Sequence, residues 1–254
     1  MFQRTIKDEI TFSAFGVYFK ENVIVKCYPA KPHTGIVING EKLTVDKIAV
    51  ENNTTVFKTP KEKIFLIEHF LAVLFILKID NLLIEIFGKE FPFFDGSGKE
   101  YYLALKDLVI DQLPYKKSFI EIKKKLLITD NKNFIFLLPK KDFSISLIIT
   151  FPHYFSFKIV KENNFLKILS AQTPIPIKIL KKEDFDFLKN FGYYQKGAWL
   201  LGRGSFASHK LLDFFGNLKI LNKEIKGKII AFRPSHKLNI KLINKLIKEE
   251  KNGH

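Results

Sequence analysis

The stretch Ile64-Phe-Leu-Ile-Glu-His-Phe-Leu-Ala-Val-Leu-Phe-Ile-Leu-Lys78 decides the architecture of this chain. Apart from Glu68, His69 and the closing Lys78 it is apolar, and a helix that is apolar on every side is normally buried between layers. A carboxylate and an imidazole would be costly to bury without partners. The stretch therefore predicts a central buried helix that opens with Glu68-His69 and meets polar partners from elsewhere in the chain.

Candidate partners lie far downstream, in His209-Lys-Leu-Leu-Asp213. On a helix, a spacing of four places His209 and Asp213 on one face, one turn apart. With His69 they form a set of two imidazoles and one carboxylate, which suits zinc with a fourth position open for water. Glu68 stands beside a ligand in the sequence and is then placed to accept a proton from that water.

A plainer interpretation of these residues stays open at this point. A Glu-His pair at a helix start can simply complement the helix dipole, and His/Asp pairs four apart are common on solvated helix faces. Ligands so far apart in sequence are a weak signal for a metal site. The spacing alone does not decide between a metal centre and ordinary helix surfaces.

The composition is that of a globular chain: 254 residues, of which 46% are hydrophobic and 27% charged, suffice for one large domain or two small ones. The single cysteine, Cys27, excludes an intramolecular disulfide framework and a cysteine-rich metal site, and its apolar surroundings favour an inert core position. The first ten residues contain no apolar signal region, and no uncharged run reaches the length that spans a bilayer. We therefore expect a cytoplasmic protein.

The net charge of +16, from 42 Lys+Arg against 26 Asp+Glu, favours polyanionic partners: nucleic acid, an anionic membrane or a phosphorylated substrate. The lysines are spread along the chain, and no nucleic-acid-binding motif is present. We expect no nucleic-acid partner and a monomer, and a weak association with an anionic membrane surface stays open.

The first part of the chain predicts strands followed by a helix, a strand, a tight turn and a second helix. Apolar alternation broken by Gly, Pro and Asn-Gly predicts strands over 6–18, 23–28, 35–38 and 42–50. Thr59-Pro60 marks the start of the central helix, with Glu62 in its first turn. A strand over 82–87, a turn over 94–98 and a helix over about 99–110 follow.

The second part repeats this order. The best linker candidate is 112–117, with Pro114 and two lysines, and it predicts domains over 1–113 and 118–254. Further strands are predicted over 119–128, 134–138, 144–150 and 154–160, then a helix over 177–190 and a Gly-rich loop over 192–204. The His209 helix, a strand over 227–232, the turn Arg233-Pro-Ser-His236 and a final helix to about residue 251 complete the chain.

The shared order argues for an internal duplication. His69 lies 95 − 69 = 26 residues before Asp95, and His209 lies 236 − 209 = 27 residues before His236. We therefore predict the α+β class, with two similar domains, each a β-sheet layer with a pair of helices, packed helix to helix around a site in the cleft between them. This arrangement brings His69 near His209 and favours the metal-site interpretation.

Four motifs in order carry a resemblance to a known family: 67–74 (IEHFLAVL), 94–98 (FDGSG), 209–213 (HKLLD) and 235–241 (SHKLNIK). Together they resemble the UDP-3-O-acyl-N-acetylglucosamine deacetylases, the zinc enzymes that catalyse the committed step of lipid A synthesis. The resemblance runs over nearly the whole chain. It implies a β-α-α-β sandwich of two domains and hydrolysis of the N-acetyl group of an acylated UDP-sugar.

The resemblance also implies roles for individual residues. His69, His209 and Asp213 match the zinc ligands, although iron(II) would suit the same ligands. Glu68 matches the general base, and His236 matches the histidine that protonates the leaving amine and stabilises the oxyanion.

Three further residues match the family's pattern less directly. Lys210 matches a lysine that holds the substrate or polarises its carbonyl. Asp95 matches the position that orients the acid histidine, but Asp-Gly-Ser-Gly is also ordinary turn chemistry. Thr173 sits where the family has a threonine near the acetyl group.

The chain departs from the family in regions that face the substrate. Residues 15–19 read Phe-Gly-Val-Tyr-Phe, without the family's turn histidine and second glycine, and Pro174-Ile-Pro176 replaces an aromatic position. The segment from Gly192 to His209 is shorter, and Phe206-Ala-Ser lacks the usual arginine. These changes keep open a divergent enzyme with another acyl or sugar preference, or a paralogue that binds a nucleotide-sugar or lipid without turnover. A basic membrane-surface or nucleic-acid-binding module without metal is the third alternative.

The remaining residues that stand out have plainer interpretations. His33 and His153 are expected in solvated turns or loops, and His254 ends the printed sequence. The aromatic stretch 151–157 either lines a passage for the acyl chain or packs within a sheet. Trp199, in the Gly-rich segment, is placed to cap the site.

Overall fold

The computed structural model describes residues 1–151, 154–161, 165–177 and 182–252. Its first half contains ten strands and two helices. These are β1 Phe2–Ile6, β2 Ile10–Phe15, β3 Asn22–Pro29, β4 Ile36–Ile38, β5 Glu41–Lys42, β6 Ile48–Glu51, β7 Thr54–Lys58, β8 Lys63–Ile64, α1 Glu68–Leu77, β9 Leu82–Phe87, α2 Lys99–Leu105 and β10 Val109–Lys116.

The second half follows the same general order. Its elements are β11 Phe119–Glu121, β12 Leu126–Asp130, β13 Asn133–Leu138, β14 Ser144–Phe151, β15 Tyr154–Lys161, α3 Leu166–Leu169, β16 Ile175–Pro176, α4 Lys182–Lys189, β17 Tyr194–Lys196, β18 Trp199–Leu201, α5 Phe206–Lys219, β19 Glu224–Lys226, β20 Lys228–Phe232 and α6 His236–Asn252. The predicted α+β class is confirmed.

The two halves share a sheet topology. Each contains a five-stranded sheet, in the order β2-β3-β9-β4-β5 in the first half and β12-β13-β20-β14-β15 in the second. In both sheets the central strand, β9 or β20, comes after the helix α1 or α5 in the chain. It pairs antiparallel with one neighbour and parallel with the other. Each half also carries a three-stranded sheet just before that helix, β6-β7-β8 or β16-β18-β17. This match supports the predicted duplication.

The strands follow from simple alternation. In β9, Leu82, Ile84 and Ile86 are buried while Glu85 is exposed, because successive side chains of a strand point to opposite faces. Cys27 faces the same core from β3, where burial raises the pKa of its thiol, as expected of an inert core cysteine.

The central contact between the halves is the packing of α1 against α5. Gly216 of α5 lies so close to α1 that a Cβ atom placed on it would come within 2.0 Å of the Glu68 carbonyl oxygen. Nearer the end of α1, the ring of Phe75 stacks on the ring of Phe215, the residue next to Gly216, with centroids 4.9 Å apart. The predicted helix-to-helix contact is therefore present, and the full order of layers in a β-α-α-β sandwich stays a prediction.

The central helix begins at Glu68, as the opening Glu68-His69 predicts, and the earlier start marked by Thr59-Pro60 is wrong. Residues 59–67 do not form its first turn: the Thr59 hydroxyl accepts the backbone N–H of Glu62 at 3.0 Å, and β8 follows. A threonine that bonds its own chain this way favours a turn over a helix. The helix begins at Glu68, where the carboxylate lies at the positive end of the helix dipole.

The predicted linker is a strand. The helix expected over 99–110 ends at Leu105, and β10 spans most of 112–117 and pairs antiparallel with β1. The register of that pair shifts between Phe2 and Gln3, opposite Pro114, which has no N–H to give to a ladder. Pairings between named strands of the described ranges stay within 1–116 or 119–232, and the division at 113 and 118 stays a prediction.

Several smaller predictions also change. The loop expected over 192–204 contains the hairpin β17–β18, whose turn uses Gly197 at φ +56°. The helix expected over 177–190 is described from Lys182 to Lys189.

His33 lies exposed at φ +67°, as expected of a turn residue. His153 and His254 lie outside the described residues. In the described part of the chain, no helix has both the length and the apolar character needed to cross a membrane.

A buried ionic cluster links the halves near the end of the helix pair. Lys219 of α5 donates to the Ile79 carbonyl oxygen and, at 2.8 Å, to Asn222. Lys117 binds Asp80 at 2.6 Å. Burial lowers the pKa of Lys219 to about 8 and also lowers the pKa of Lys117.

The Gly216 contact gives a direct test of the helix packing. Gly216→Ala should destabilise the protein by about 2 kcal/mol or more, because the new methyl group collides with the Glu68 backbone and outweighs the roughly 1 kcal/mol that alanine gains in a helix. Urea unfolding of wild type and variant measures the difference.

The control for this test is Gly192→Ala, where a Cβ atom meets no atom within 4 Å and only the positive φ of +83° resists substitution. Its loss should be about 1 kcal/mol. If Gly216→Ala were as stable as wild type, the two helices could not be as close as described.

Candidate metal centre

A cleft of ≈ 750 Å³ opens between the two halves beside the N-terminal ends of α1, α5 and α6. Its walls include Glu68 and His69 from the first half and His209, Asp213 and His236 from the second. The predicted site residues, although far apart in sequence, are therefore brought to one place.

Helix capping sets the position of the second-half groups. The Ser205 hydroxyl accepts the backbone N–H of Ser208 at 3.2 Å, which starts α5 at Phe206 and places His209 in its first turn. The Ser235 hydroxyl accepts the N–H of Leu238 at 3.1 Å in the same way. His236 is therefore the first residue of α6 rather than the end of a turn.

The predicted ligand set converges in the structure. The Nε2 atoms of His69 and His209 are 3.2 Å apart, and His69 Nε2 lies 3.4 Å from Asp213 Oδ1. One donor atom from each of the three residues lies within 4.8 Å of the others. Two imidazoles and a carboxylate at such distances fit a tetrahedral metal ion with one position left open.

The protonation states also fit a metal. Burial lowers the pKa of His209 to about 3, so its imidazole is neutral at physiological pH. Burial alone would raise the pKa of Asp213, but His209, Lys210 and a hydrogen bond from His69 hold it well below its usual range. A neutral imidazole and an ionised carboxylate are the forms that bind metal ions.

One carboxylate oxygen of Glu68 accepts a hydrogen bond, and the other has no hydrogen-bond partner among the described residues. The Thr54 hydroxyl donates to Oε1 at 2.6 Å, whereas Oε2 is buried and has no hydrogen-bond partner among the described residues. Glu68 also belongs to a group in which it, Asp213 and His236 each place one donor atom within 4.8 Å of the others. A buried oxygen without a partner is costly, so it marks a place where a further group is expected.

A network of neutral polar groups holds the His236 ring. Nδ1 lies 2.9 Å from the Thr55 hydroxyl and 3.2 Å from Asn217 Oδ1. Asn217 Nδ2 donates to Thr55 at 2.8 Å, and Asn239 Nδ2 donates to Asn217 Oδ1 at 2.9 Å. The other ring nitrogen, Nε2, lies 3.7 Å from Asp213 Oδ2 and lines the cleft. Burial lowers the pKa of His236.

Sequence reasoning missed three members of this site: Thr54, Thr55 and Asn217. Asn217 follows Asp213 by four residues on α5 and so lies on the ligand face, a spacing from which it could have been found. The two threonines come from the start of β7, and nothing in the sequence connects that strand to the helix pair.

The Asp95 carboxylate is hydrogen-bonded to Ser97 and Arg203, and its predicted role of orienting His236 stays a prediction. Its carboxylate accepts the Ser97 hydroxyl at 2.6 Å and the Arg203 guanidinium, and no hydrogen bond of the described residues joins it to His236. Its backbone oxygen accepts Gln172 Nε2 at 2.8 Å. Asp95 therefore fixes the turn over 94–98, in agreement with ordinary turn chemistry.

Lys210 and Thr173 both line the cleft, and their roles toward a substrate stay predictions. Lys210 Nζ donates to Asp213 Oδ2 at 2.7 Å from a partly exposed position on the cleft wall. The Thr173 hydroxyl lies 3.1 Å from His209 Nε2 and donates to the Gly96 carbonyl oxygen. Trp199 lines the same cleft, where its ring meets Phe206 edge to face.

The altered turn over 15–19 is held in a defined conformation by buried Glu90. The Glu90 carboxylate accepts the backbone N–H of Tyr18 at 3.0 Å and of Phe19 at 2.8 Å. A Cβ atom on Gly16 would lie 2.2 Å from that carboxylate, so the glycine permits the contact. Tyr18 consequently lines the cleft, and neighbouring Lys20 pairs with Asp184 of α4.

Comparison with known proteins gives a consistent result. The model of the family described as LpxC, UDP-3-O-acyl N-acetylglycosamine deacetylase, matches residues 3–199 and 199–248. The UDP-3-O-acyl-N-acetylglucosamine deacetylase of Syntrophus aciditrophicus is 27% identical over 99% of this chain and 88% of that protein. Proteins of the same name from Sulfurovum sp. (28% identical, 99% of this chain, 94% of that protein) and Aquifex aeolicus (26%, 98% and 94%) are also similar.

Removing one predicted ligand tests the metal site. Asp213→Ala should lose bound zinc, because the two imidazoles then lack the charged third donor, whereas Asp95→Ala removes a carboxylate that lies outside the donor set. Elemental analysis of the purified variants after zinc loading measures the metal-to-protein ratio. Equal metal content in wild type and Asp213→Ala would remove Asp213 from the site.

Proposed function

Because the chain belongs to the family of UDP-3-O-acyl-N-acetylglucosamine deacetylases, we propose that it hydrolyses the N-acetyl group of UDP-3-O-acyl-N-acetylglucosamine in lipid A biosynthesis. The products are acetate and a free glucosamine amine. The observation that carries the proposal is the convergence of His69, His209 and Asp213 beside a buried, unpartnered oxygen of Glu68.

The metal-binding roles fall to His69, His209 and Asp213, which supply a donor set suited to zinc and also acceptable to iron(II). A zinc ion bound there lowers the pKa of a water molecule toward neutrality and polarises the acetamide oxygen. Lys210 partly offsets the negative charge of Asp213 and stands at the cleft wall, where its ammonium group can also meet the substrate carbonyl.

Glu68 acts as the general base. Thr54 occupies Oε1 and fixes the carboxylate, which leaves Oε2 as the acceptor for a proton from the attacking water. The loss of that proton lets the water oxygen attack the acetamide carbonyl carbon. Holding the base and the substrate in one cleft removes the need for solvent to reorganise around either of them.

His236 acts in the later step of the reaction, when the amide bond breaks. Its Nε2 faces the cleft, so a protonated imidazole can donate to the negative charge that develops on the acetamide oxygen and then to the departing amine. Thr55 and Asn217 contact only Nδ1 and therefore orient the ring without occupying the catalytic nitrogen.

The cleft offers contacts for the rest of the substrate. Thr173 lies beside His209, at the place proposed for the acetyl group. The cationic side chains of Lys20, Lys210 and Lys237 line the walls, and they suit the diphosphate of an acylated UDP-sugar. We extend the proposal to a monomeric cytoplasmic enzyme. Because the chain is basic and its proposed substrate is acylated, we also propose that it associates weakly with an anionic membrane surface.

One observation favours a second candidate, a paralogue with an altered substrate or without turnover. Two of the departures from the family pattern, at Tyr18 and at Pro174, lie on the cleft wall. They change the surface offered to the sugar or acyl chain while every proposed catalytic group is kept. Acetate release from the substrate separates the two candidates, because a binder takes up the UDP-sugar without releasing acetate.

Glu68→Gln tests the general base. The amide keeps the shape of the side chain but cannot accept the proton, so the turnover rate should fall about 10²- to 10⁴-fold with zinc content unchanged. Acetate release from UDP-3-O-acyl-N-acetylglucosamine by the zinc-loaded proteins is the measurement. An unimpaired rate would end the assignment of Glu68, and no turnover in zinc-bearing wild type would favour the binding paralogue.

Asn217→Ala tests how His236 is positioned. Loss of the amide should lower kcat about 10- to 100-fold with little change in KM, because the ring loses its orientation rather than its contact with substrate. Thr55→Val, which removes the second contact to Nδ1, should act in the same direction. Asn190→Ala, an exposed asparagine outside the cleft, is the control. A change in KM alone would assign Asn217 to substrate binding instead.

A further inference from the structure

The five-stranded sheet of the second half carries an apolar surface on the side that faces away from the helices. Directly paired residues share a face, so the strand register defines rows across the sheet. One row is Leu127, Phe136, Ile230, Ser146 and Ile159, and the next is Thr129, Phe134, Phe232, Ile148 and Phe157. Neither row contains a charged side chain. We call these two rows, with Phe155 of the adjoining row, the outer apolar face.

Solvent reaches this face. Leu127 is 61% exposed, and Phe155, Phe157 and Ile159 on the edge strand β15 are 64%, 58% and 60% exposed. The side chains of the alternate residues on the same strands, such as Ile135, Ile229 and Leu147, are fully buried against the helices. Contiguous exposed apolar side chains of this kind mark an interaction surface rather than ordinary surface variation.

The duplicated sheet of the first half supplies an internal comparison. Its outward rows contain charged and polar groups at the centre, where Lys26 pairs with Glu85 across β3 and β9 and with Thr11 across β2 and β3. Tyr28 donates to Glu85 at 3.1 Å on the same side. The same fold position is therefore solvated in one half and apolar in the other, so the topology itself does not require an apolar exterior.

Lysines gather at one end of the outer apolar face. Lys228 lies in the end row with Leu138 and Ser144. The segments that enter or leave the sheet at this end add further exposed lysines: Lys123, Lys124, Lys125, Lys140, Lys141 and Lys226. Lys124 pairs with Glu249, and the acidic residues of these segments are Glu121, Asp142 and Glu224, the last of which pairs with Lys78 and Lys117. This basic rim therefore carries a net positive charge beside an uncharged apolar surface.

We propose that the outer apolar face and its basic rim dock the protein on the surface of an anionic lipid bilayer. Aromatic and aliphatic side chains at the face enter the interfacial region, and the lysines meet the phosphate groups of acidic lipids. The outer apolar face and its basic rim would be the surface through which the membrane association in the proposed function occurs. This docking does not depend on the hydrolytic step.

Charge distinguishes the bilayer from a second copy of this chain. A second copy carries the same basic rim and the same net charge of +16, so packing two outer faces together is opposed by like charge. An anionic bilayer attracts the rim and accepts the apolar face at once. The charge complementarity therefore favours the lipid surface as the occupant.

Co-sedimentation with vesicles tests the proposal. The protein should bind vesicles of phosphatidylethanolamine with phosphatidylglycerol, and neither vesicles of phosphatidylcholine nor the acidic vesicles at high salt should retain it. The variant Phe155→Ser/Phe157→Ser/Ile159→Ser should reduce binding at least about ten-fold, because three exposed apolar side chains no longer enter the interface. Circular dichroism and zinc content establish that the variant is folded.

The matched control is Ile24→Ser/Phe87→Ser, which removes exposed apolar side chains from the outward side of the first sheet. It should bind the vesicles as wild type does. Failure of wild type to bind acidic vesicles, or equal loss in the two variants, would overturn the proposal. A dimer in light scattering that disappears only in the triple variant would assign the face to self-association instead. Acetate release from detergent-dispersed substrate is measured separately, so a failure of docking is not confused with a failure of the proposed reaction.

Discussion

The close contact between α1 and α5 at Gly216 is the constraint on which the rest of the structure depends. The contact brings the first residues of α1 against α5, where His69 meets His209 and Asp213. A side chain at position 216 would push the helices apart, and donor atoms that now lie within 4.8 Å would separate. The apolar character of the 64–78 stretch has the same origin, since a helix in this position is covered on all sides.

Burial explains both the stability and the chemistry of the polar groups between the helices. Removing His209 from water keeps its imidazole neutral, and Lys210 together with the neighbouring imidazoles keeps Asp213 ionised. Thr54 donates a hydrogen bond to Glu68, and Thr55 and Asn217 form hydrogen bonds with Nδ1 of His236. Glu68 Oε2 has no hydrogen-bond partner among the described residues, and it is the proton acceptor in the reaction that we propose. The first half thus supplies the base and one ligand, and the second half supplies the acid and two ligands.

Patterns of short period could be predicted from the sequence, and the approach of His69 to His209 followed from the duplicated order of elements, but the contacts of Thr54 and Thr55 with Glu68 and His236 could not be predicted. Strand β9 and the helix around His209 follow from alternation and from helical spacing, both of which are local. The opening of the helix at Glu68 was predicted, whereas the start marked at Thr59-Pro60 was wrong because the Thr59 turn resembles a helix cap. The segment 112–117 resembles a linker, but its partner β1 lies at the other end of the half. Asp95 was given a role that Asn217 and Thr55 are better placed to fill, because proximity to a motif is weaker evidence than a hydrogen bond.

The division of the donor atoms between the two halves has a consequence for folding. A metal ion held by His69 on one side and by His209 and Asp213 on the other would act as a crosslink between two independently paired sheets. Binding to the folded state alone adds to stability in proportion to the logarithm of metal concentration. Removing the metal with a chelator would therefore lower the stability of the folded pair, while the packing of α1 against α5 would still join the two halves. A half expressed as a separate fragment would expose an apolar helix and would keep only part of the donor set.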